Sequence, residues 1–319
     1  VAEQMRPLSY RQPLVDGEST GSFVTRLAAR HGQSATHLLA TLGEGHSAAG
    51  VDPWESELYV NQAARRRLAE MTGRPLDQLT RALVSLRDEH LLPDSPDIPV
   101  WKWPWRPHAG FLVRGCALCA ARRGVLDPVW LIRPDPWHIC VRHGRFHDTS
   151  RDDRVPFIDL SPGPHVIQAE RRRLRLVGAG PVGRLLVADA FGVLSHEALH
   201  LPRLGSGRTT PLRLLPMAVR VASRMAFLER RRLDHRLRPD EHQRWREQVV
   251  KDLGWQLGRA LAAWSQQHPP LRRPRTTRPQ QRWQLRPAAP HKDVPEMASV
   301  DKLTCVPWEV LARGPRPYG

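Results

Sequence analysis

The sequence predicts a mainly α-helical chain that includes one small module held by a metal. Three observations carry that expectation. Apolar residues recur at helical spacing from residue 20 to 86 and again from 166 to 266. Two short knuckles, Cys116-Ala-Leu-Cys119 and Cys140-Val-Arg-His143, stand twenty residues apart. From Gln267 onward arginine and proline displace any apolar pattern. Four parts follow: an N-terminal helix-turn-helix-like helical domain (1–100), a small zinc-ribbon module (101–148), a C-terminal helical region (149–266) and a disordered Arg/Pro-rich basic tail (267–319).

Residues 1–17 read as an extended lead ending in Asp16-Gly17. Ser19 or Thr20 caps a first helix, which sets Phe23, Val24, Leu27, Ala28 and His31 on one face and stops at Gly32. Ser34 caps a second helix, which carries Leu38, Leu39 and Leu42 and ends at Gly43. A third helix runs from about Asn61 to Thr72, with Ala64, Leu68 and Met71 inward. Gly73 breaks it, and Pro75 suits the first position of a fourth helix carrying Leu76, Leu79, Leu83 and Leu86.

Helix, glycine turn, helix is a helix-turn-helix outline. Arg65, Arg66, Arg67, Arg74 and Arg81 make it a candidate DNA-binding surface, with a merely solvated basic face as the alternative. Residues 87–110 form a proline-rich connector ending in Trp101, Trp103 and Trp105, whose alternation lets them face one way on an extended segment. Packing between the helical domain and the zinc module is expected of them, with a base-stacking platform as the alternative.

The spacing of two residues within each knuckle lets both side chains of a short turn aim at one ion. Cys116, Cys119, Cys140 and His143 together offer three thiolates and one imidazole, the set of a closed tetrahedral zinc site. The mixed Cys3His set favours zinc over copper or an iron–sulfur cluster. His138 and His147 lie near enough to compete as ligands, and the Cys-x-x-His spacing favours His143. Nothing upstream of the first pair reads as the strand that a thioredoxin-like site requires. A zinc deaminase would want His-x-Glu upstream and Pro-Cys-x-x-Cys downstream, and neither occurs. Four protein ligands leave no position for water, so the expected Zn2+ is single and structural. The run from Gly124 to Arg133 suits a ribbon strand, Trp137 and Ile139 lead into the second knuckle, and Phe146 follows it.

Residues 149–164 are loop-like. Helices are expected over Val166–Val177, Pro181–Leu194 and Pro216–Arg232, with a loop over 203–211. The strongest amphipathic stretch is Asp240–Gln266, read as one helix with Trp245, Val249, Leu253, Leu257, Ala260, Leu261 and Trp264 as its apolar stripe. Residues 267–286 hold six arginines and no acid. Arg272, Arg273, Arg275 and Arg278 in that tail are candidate DNA contacts, and the composition is that of a disordered segment. Cys305 has no assigned role.

Charge bounds the function. Of 49 basic residues only Lys102, Lys251, Lys292 and Lys302 are lysine, and the formal net charge is +17. Such an excess draws polyanions, phosphate backbones first; an acidic protein is the other partner it suits. The first seventeen residues lack the apolar core of a signal peptide, and no stretch is long and apolar enough to span a bilayer. No paired carboxylates at recognisable spacing, Gly-x-Ser-x-Gly, His-Glu-x-x-His or Walker motif is present, so an enzyme is not expected.

Glu18-Ser19-x-x-Ser22-x-x-x-Arg26-Leu27-Ala28, followed by Gly32, resembles the opening signature of the TniQ family. Cys116-x-x-Cys119, Trp130, Trp137 and Cys140-x-x-His143-Gly144 resemble that family's zinc-finger signature. The likeness covers residues 12–147 and fades beyond. It implies a non-catalytic accessory factor of transposition, with an N-terminal helix-turn-helix region, zinc-ribbon modules and a helical remainder. The partners it implies are double-stranded DNA, an AAA+ ATPase that recruits the transposase and, as in some members, a second copy in a homodimer. A cytoplasmic, nucleoid-associated place in a bacterium goes with that reading. Longer members carry a second cysteine-rich finger that this chain lacks, which separates it from their site-specific reading of DNA and from a guide-complex role. The alternative is a stand-alone DNA-binding transcriptional regulator with no transposase partner.

Overall fold

The computed structural model describes residues 8, 11–47, 51–93, 98–104, 107–108, 110–198, 210–234 and 236–270. Among them are ten α-helices and eight short strands. The chain divides into two compact units, Val1–Asp159 and Leu160–Gly319.

The first unit opens with α1 (Thr20–Arg30), capped by the Ser19 side chain, which accepts from the Ser22 N–H. Phe23, Val24, Leu27 and Ala28 form its buried face. Helix α2 (Ala35–Leu42) is capped by Ser34 and ends at Gly43. Helix α3 (Gln62–Thr72) takes Asn61 as cap and ends at Gly73 in the left-handed region, a conformation that costs glycine no Cβ clash. Helix α4 (Leu76–Ala82) follows Pro75.

This fourth helix is shorter than its sequence predicts. Leu83 is extended and bridges Glu18, and Val84–Leu86 is a 3-10 turn. Leu83 and Leu86 are still buried, so the apolar spacing outlasts the helix.

Strands β1 (Glu44–Ser47), β2 (Tyr59–Val60) and β3 (Val100–Trp103) form one sheet in the order β1-β3-β2. The boundary expected at residue 100 falls inside this arrangement. Trp101 and Trp103 are buried and Lys102 between them is exposed, the alternation expected of a strand with one face inward. Trp101 lies over Gly45, where a Cβ would sit 2.0 Å from its ring, and donates to the carbonyls of Leu39 and Gly43. Trp103 lies against Gly21 in the same way. Both rings therefore belong to the core built by α1–α4; they are not a base-stacking platform. Trp105 lies outside the described residues.

The remainder of this unit is the ribbon. Strands β4 (Phe111–Arg114) and β5 (Trp130–Arg133) pair antiparallel, with α5 (Ala117–Ala121) between them in sequence. Strands β6 (Trp137–Cys140), β7 (Arg145–Asp148) and β8 (Ile158–Asp159) form a second antiparallel set. Trp137 and Phe146 stack at 6.2 Å between ring centroids.

The second unit is helical: α6 (Pro164–Gly178), α7 (Pro181–Ala198), α8 (Thr210–Leu233), α9 (Pro239–Leu253) and α10 (Trp255–Gln266). Leu215, Ala218, Val219, Ala222, Met225 and Leu228 make α8 its buried centre. Helix α8 begins six residues before the expected start and contains Pro216.

The single helix expected over Asp240–Gln266 is two. Gly254 at φ 82°, ψ 168° breaks it, and α10 runs back along α9. Gly258 approaches the Val250 backbone, and Ser265 meets His242 near the other end. The apolar spacing continues unbroken across Gly254, so periodicity alone could not reveal the reversal. No helix among the described residues is long and apolar enough to cross a membrane.

Candidate metal centre

The two knuckles are built by different local means. Cys116 caps the start of α5, and its carbonyl accepts from the N–H groups of Cys119 and Ala120. That turn brings the Cys119 sulfur round to the side of Cys116. Cys140 ends β6, and the His143 N–H donates to its carbonyl at 3.2 Å. Gly144 at φ 58° then lets the chain turn into β7.

The two turns face each other. The His143 Nδ1 lies 3.4 Å from the Cys116 Sγ, 3.3 Å from the Cys119 Sγ and 3.4 Å from the Cys140 Sγ. The Cys119 and Cys140 sulfurs are 3.5 Å apart, and all four donor atoms lie within 4.8 Å of one another. Zinc bonds of about 2.3 Å to sulfur and 2.0–2.1 Å to nitrogen give tetrahedron edges of about 3.8 and 3.6 Å. The donor set and its spacing thus fit one zinc ion. His138 and His147 fall outside the group. They pair across β6 and β7 with stacked rings, and His147 is buried with its Nδ1 3.3 Å from the Pro156 carbonyl oxygen.

The thiols titrate as a set. A hydrogen bond from Cys116 draws Cys140 down to about 7. The same bond holds Cys116 above the ordinary thiol range. Burial raises Cys119. A metal must displace the remaining thiol protons to bind.

A second constellation escaped the sequence reading of roles. Glu18 and Arg26 form a two-pronged pair, with Nε to Oε1 at 2.8 Å and a terminal nitrogen to Oε2 at 2.7 Å. Their side chains are 0 % and 4 % exposed. The Ser22 hydroxyl donates to Glu18 at 3.0 Å and accepts from the Trp130 N–H at 3.1 Å. The Ser19 N–H donates to the Trp130 carbonyl at 2.8 Å, and the Ile132 N–H to the Gly17 carbonyl at 3.0 Å. Ser19 also donates to buried Glu57, which accepts from the Thr20 N–H at 2.8 Å.

The residues Glu18, Ser19, Ser22 and Arg26 therefore fasten the start of α1 to β5, the strand after the first knuckle. The step of four through Glu18, Ser22 and Arg26, with Ser19 as the cap of α1, was the available signal. Glu57, 37 residues from Thr20, had none. Burial lifts the Glu57 carboxyl to about 7, against hydrogen bonds from Ser19, Ser85 and the Thr20 and Gly21 backbone.

The arginines expected at DNA divide. Arg65 is buried and donates to the Leu86 carbonyl at 2.9 Å, to Asp88 at 2.6 Å and to Gln62. It ties α3 to the turns after α4 and is not available to a phosphate. Arg74 is half-buried and donates to the Gln12 carbonyl at 2.8 Å. Arg66 is exposed and Arg67 half-buried. The outward side of α4 carries Asp77, Gln78 and Arg81, with Arg81 paired to Asp77, so this helix presents no net basic face. Arg272, Arg273, Arg275 and Arg278 lie outside the described residues, as does Cys305.

The family comparison agrees with the signatures in the sequence. Residues 9–146 match the TniQ family model. The match takes in α1–α5 and all four donors of the cluster, and it ends at Phe146. No curated protein and no solved structure matches the chain.

Proposed function

We propose, from the TniQ match at residues 9–146, that this chain is a non-catalytic, zinc-holding DNA adaptor that links a target site to a transposition ATPase or its transposase. The observation that carries the reading is the union of the two signatures in one domain. The residues that open it fasten α1 to the ribbon, and the ribbon ends in a four-donor cluster that fits zinc.

In this reading Cys116, Cys119, Cys140 and His143 hold one zinc ion. Protein groups occupy all four positions, so the ion contributes folding free energy and does not generate a nucleophile. The parts at 1–100 and 101–148 contain the family match at residues 9–146, residues 149–266 offer a surface to a protein partner, and residues 267–319 are a basic tail. The net charge of +17 favours phosphate contact through exposed Arg66 and, by composition, through the tail arginines Arg272, Arg273, Arg275 and Arg278. Arg65 and Arg74 leave that set because the fold uses them. An adaptor of this kind works by raising the local concentration of its partners at a DNA site.

The test has three parts. Elemental analysis of the purified chain is expected to give one zinc per chain, and Cys119→Ser to lose it together with protection of residues 111–147. The wild-type chain should neither nick supercoiled DNA with divalent metal nor hydrolyse nucleotide. An ATPase encoded beside this chain should co-purify with it after nuclease treatment. A fully folded metal-free chain, or a hydrolytic activity abolished by one acidic point mutation, would overturn the reading. Sequence-selective DNA binding with no such ATPase would favour the stand-alone regulator.

A further inference from the structure

The second unit lies beyond the family match, and its central helix carries a surface that packing inside the unit covers only in part. Helix α8 buries one side completely. Its other side sets Arg213, Met217, Arg220, Arg224, Phe227 and Arg231 at alternating steps of four and three, which places them in one stripe along the helix. At 1.5 Å per residue the stripe is about 27 Å long. Phe227 is 56 % exposed and Met217 37 %.

The cations on this stripe are of two kinds. Arg224 is held to Asp252 at 2.6 Å and Arg231 to Glu241 at 2.9 Å, both on α9. The Arg231 guanidinium also lies 5.9 Å from the Phe227 ring centroid. Arg213 and Arg220 have no ion-pair partner among the described residues. The stripe itself contains no acid.

The chemistry of this face selects among occupants. A nucleic-acid backbone would match the arginines but would desolvate Met217 and Phe227 without covering them with apolar groups. A second copy docked through the same stripe would set arginine against arginine, which costs affinity. A helix with carboxylates along its flanks and apolar side chains on its seam satisfies both components. Arginine, methionine and phenylalanine are also the residue types enriched at the centres of protein interfaces.

We infer that the outer face of α8 docks an acidic amphipathic helix of a partner protein, with Met217 and Phe227 taking its apolar anchors and Arg213 and Arg220 its carboxylates. This rests on the adaptor reading and adds to it the surface and the chemistry of the partner.

The experiment uses the full zinc-loaded chain and a labelled synthetic helix with glutamate on one face and leucine on the other. The same peptide with lysine for glutamate, and a labelled DNA duplex, are measured beside it by fluorescence anisotropy. The variants are Phe227→Ser and the pair Arg213→Glu with Arg220→Glu, both on the solvent side of α8. Circular dichroism and thermal melting confirm their folding. The acidic peptide should bind and the lysine peptide should not. Each variant should weaken the acidic peptide by about tenfold or more, and Phe227→Ser should leave DNA affinity within about twofold. Peptide affinity unchanged in both variants would overturn the inference. So would a parallel loss of DNA affinity in Phe227→Ser, which would assign the face to DNA, or a dimer dissolved by that variant, which would assign it to self-association. Co-purification of the neighbouring ATPase is scored separately, so the docking face can fail while the adaptor reading stands.

Discussion

Replacing Arg26 by methionine tests whether the family's opening signature is a fastener. The substitution keeps most of the side-chain volume and removes both prongs of the pair with Glu18, at 2.8 and 2.7 Å. Glu18 then keeps the Ser22 hydroxyl at 3.0 Å in a site closed to water. Breaking one side of a buried ion pair costs about 3–5 kcal/mol, because the remaining charge is uncompensated. Because Ser22 and Ser19 also hold Trp130, the loss should spread from α1 to β5. Hydrogen exchange read by mass spectrometry on the zinc-loaded chain should show residues 18–30 and 130–133 opening about two to nearly four orders of magnitude faster. Peptides of α8 supply the internal reference. Adding Glu18→Leu to Arg26→Met should recover most of the protection, since two apolar side chains leave no stranded charge. Exchange faster by less than about fivefold in Arg26→Met, or no recovery in the double variant, would refute the reasoning.

Three further outcomes follow from the geometry. Burial raises Glu57 from 4.5 to about 7, so the folded chain takes up a proton between those values. Its contribution to stability is fully present below pH 4.5 and is lost as pH rises through 7, about 3 kcal/mol in all; Glu57→Gln should remove that slope in urea titrations run with excess zinc. Arg65→Ala should lower stability while leaving the salt dependence of duplex DNA binding unchanged, whereas Arg66→Ala should flatten that dependence by up to about one unit of log–log slope, as filter binding at several salt concentrations would record. Gly254→Ala should cost about 1–3 kcal/mol, because φ 82° with ψ 168° is a conformation open essentially to glycine alone; an unchanged melting temperature would contradict the observed break between α9 and α10.

The four-donor Cys/His cluster was legible in the sequence because its geometry is local. Each knuckle is a turn of four residues, and the two turns needed only to meet. Helices α1 to α3 were equally legible, since Ser19, Ser34, Asn61, Gly43 and Gly73 mark their ends. The end of α4 was not, because Leu83 leaves the helix to pair with a residue 65 positions earlier in the chain. The reversal at Gly254 was hidden for a related reason: a hairpin of two amphipathic helices and one long amphipathic helix can carry the same apolar spacing. The arginines show the plainest limit. Arg65 and Arg66 are neighbours of identical type, yet one points into Asp88 and the Leu86 carbonyl while the other faces solvent. Composition records the charge of both and the direction of neither.

The link between Ser22 and Trp130 spans 108 residues, and that distance has a meaning in time. A ribosome adds about 5–20 residues per second, so α1 emerges roughly 5–20 s before the peptide group that completes its first turn is made. Through that interval Glu18 already has Arg26 and Ser19 gains Glu57, but the Ser22 hydroxyl and the Ser19 N–H still lack their Trp130 partners. The β5 partner arrives just after the first knuckle and shortly before the second, so the N-terminal helix finds its last hydrogen bonds at the same stage of synthesis at which the four Cys and His donors are completed. Birth order along the polypeptide thus makes the oldest segment of this domain among the last to settle.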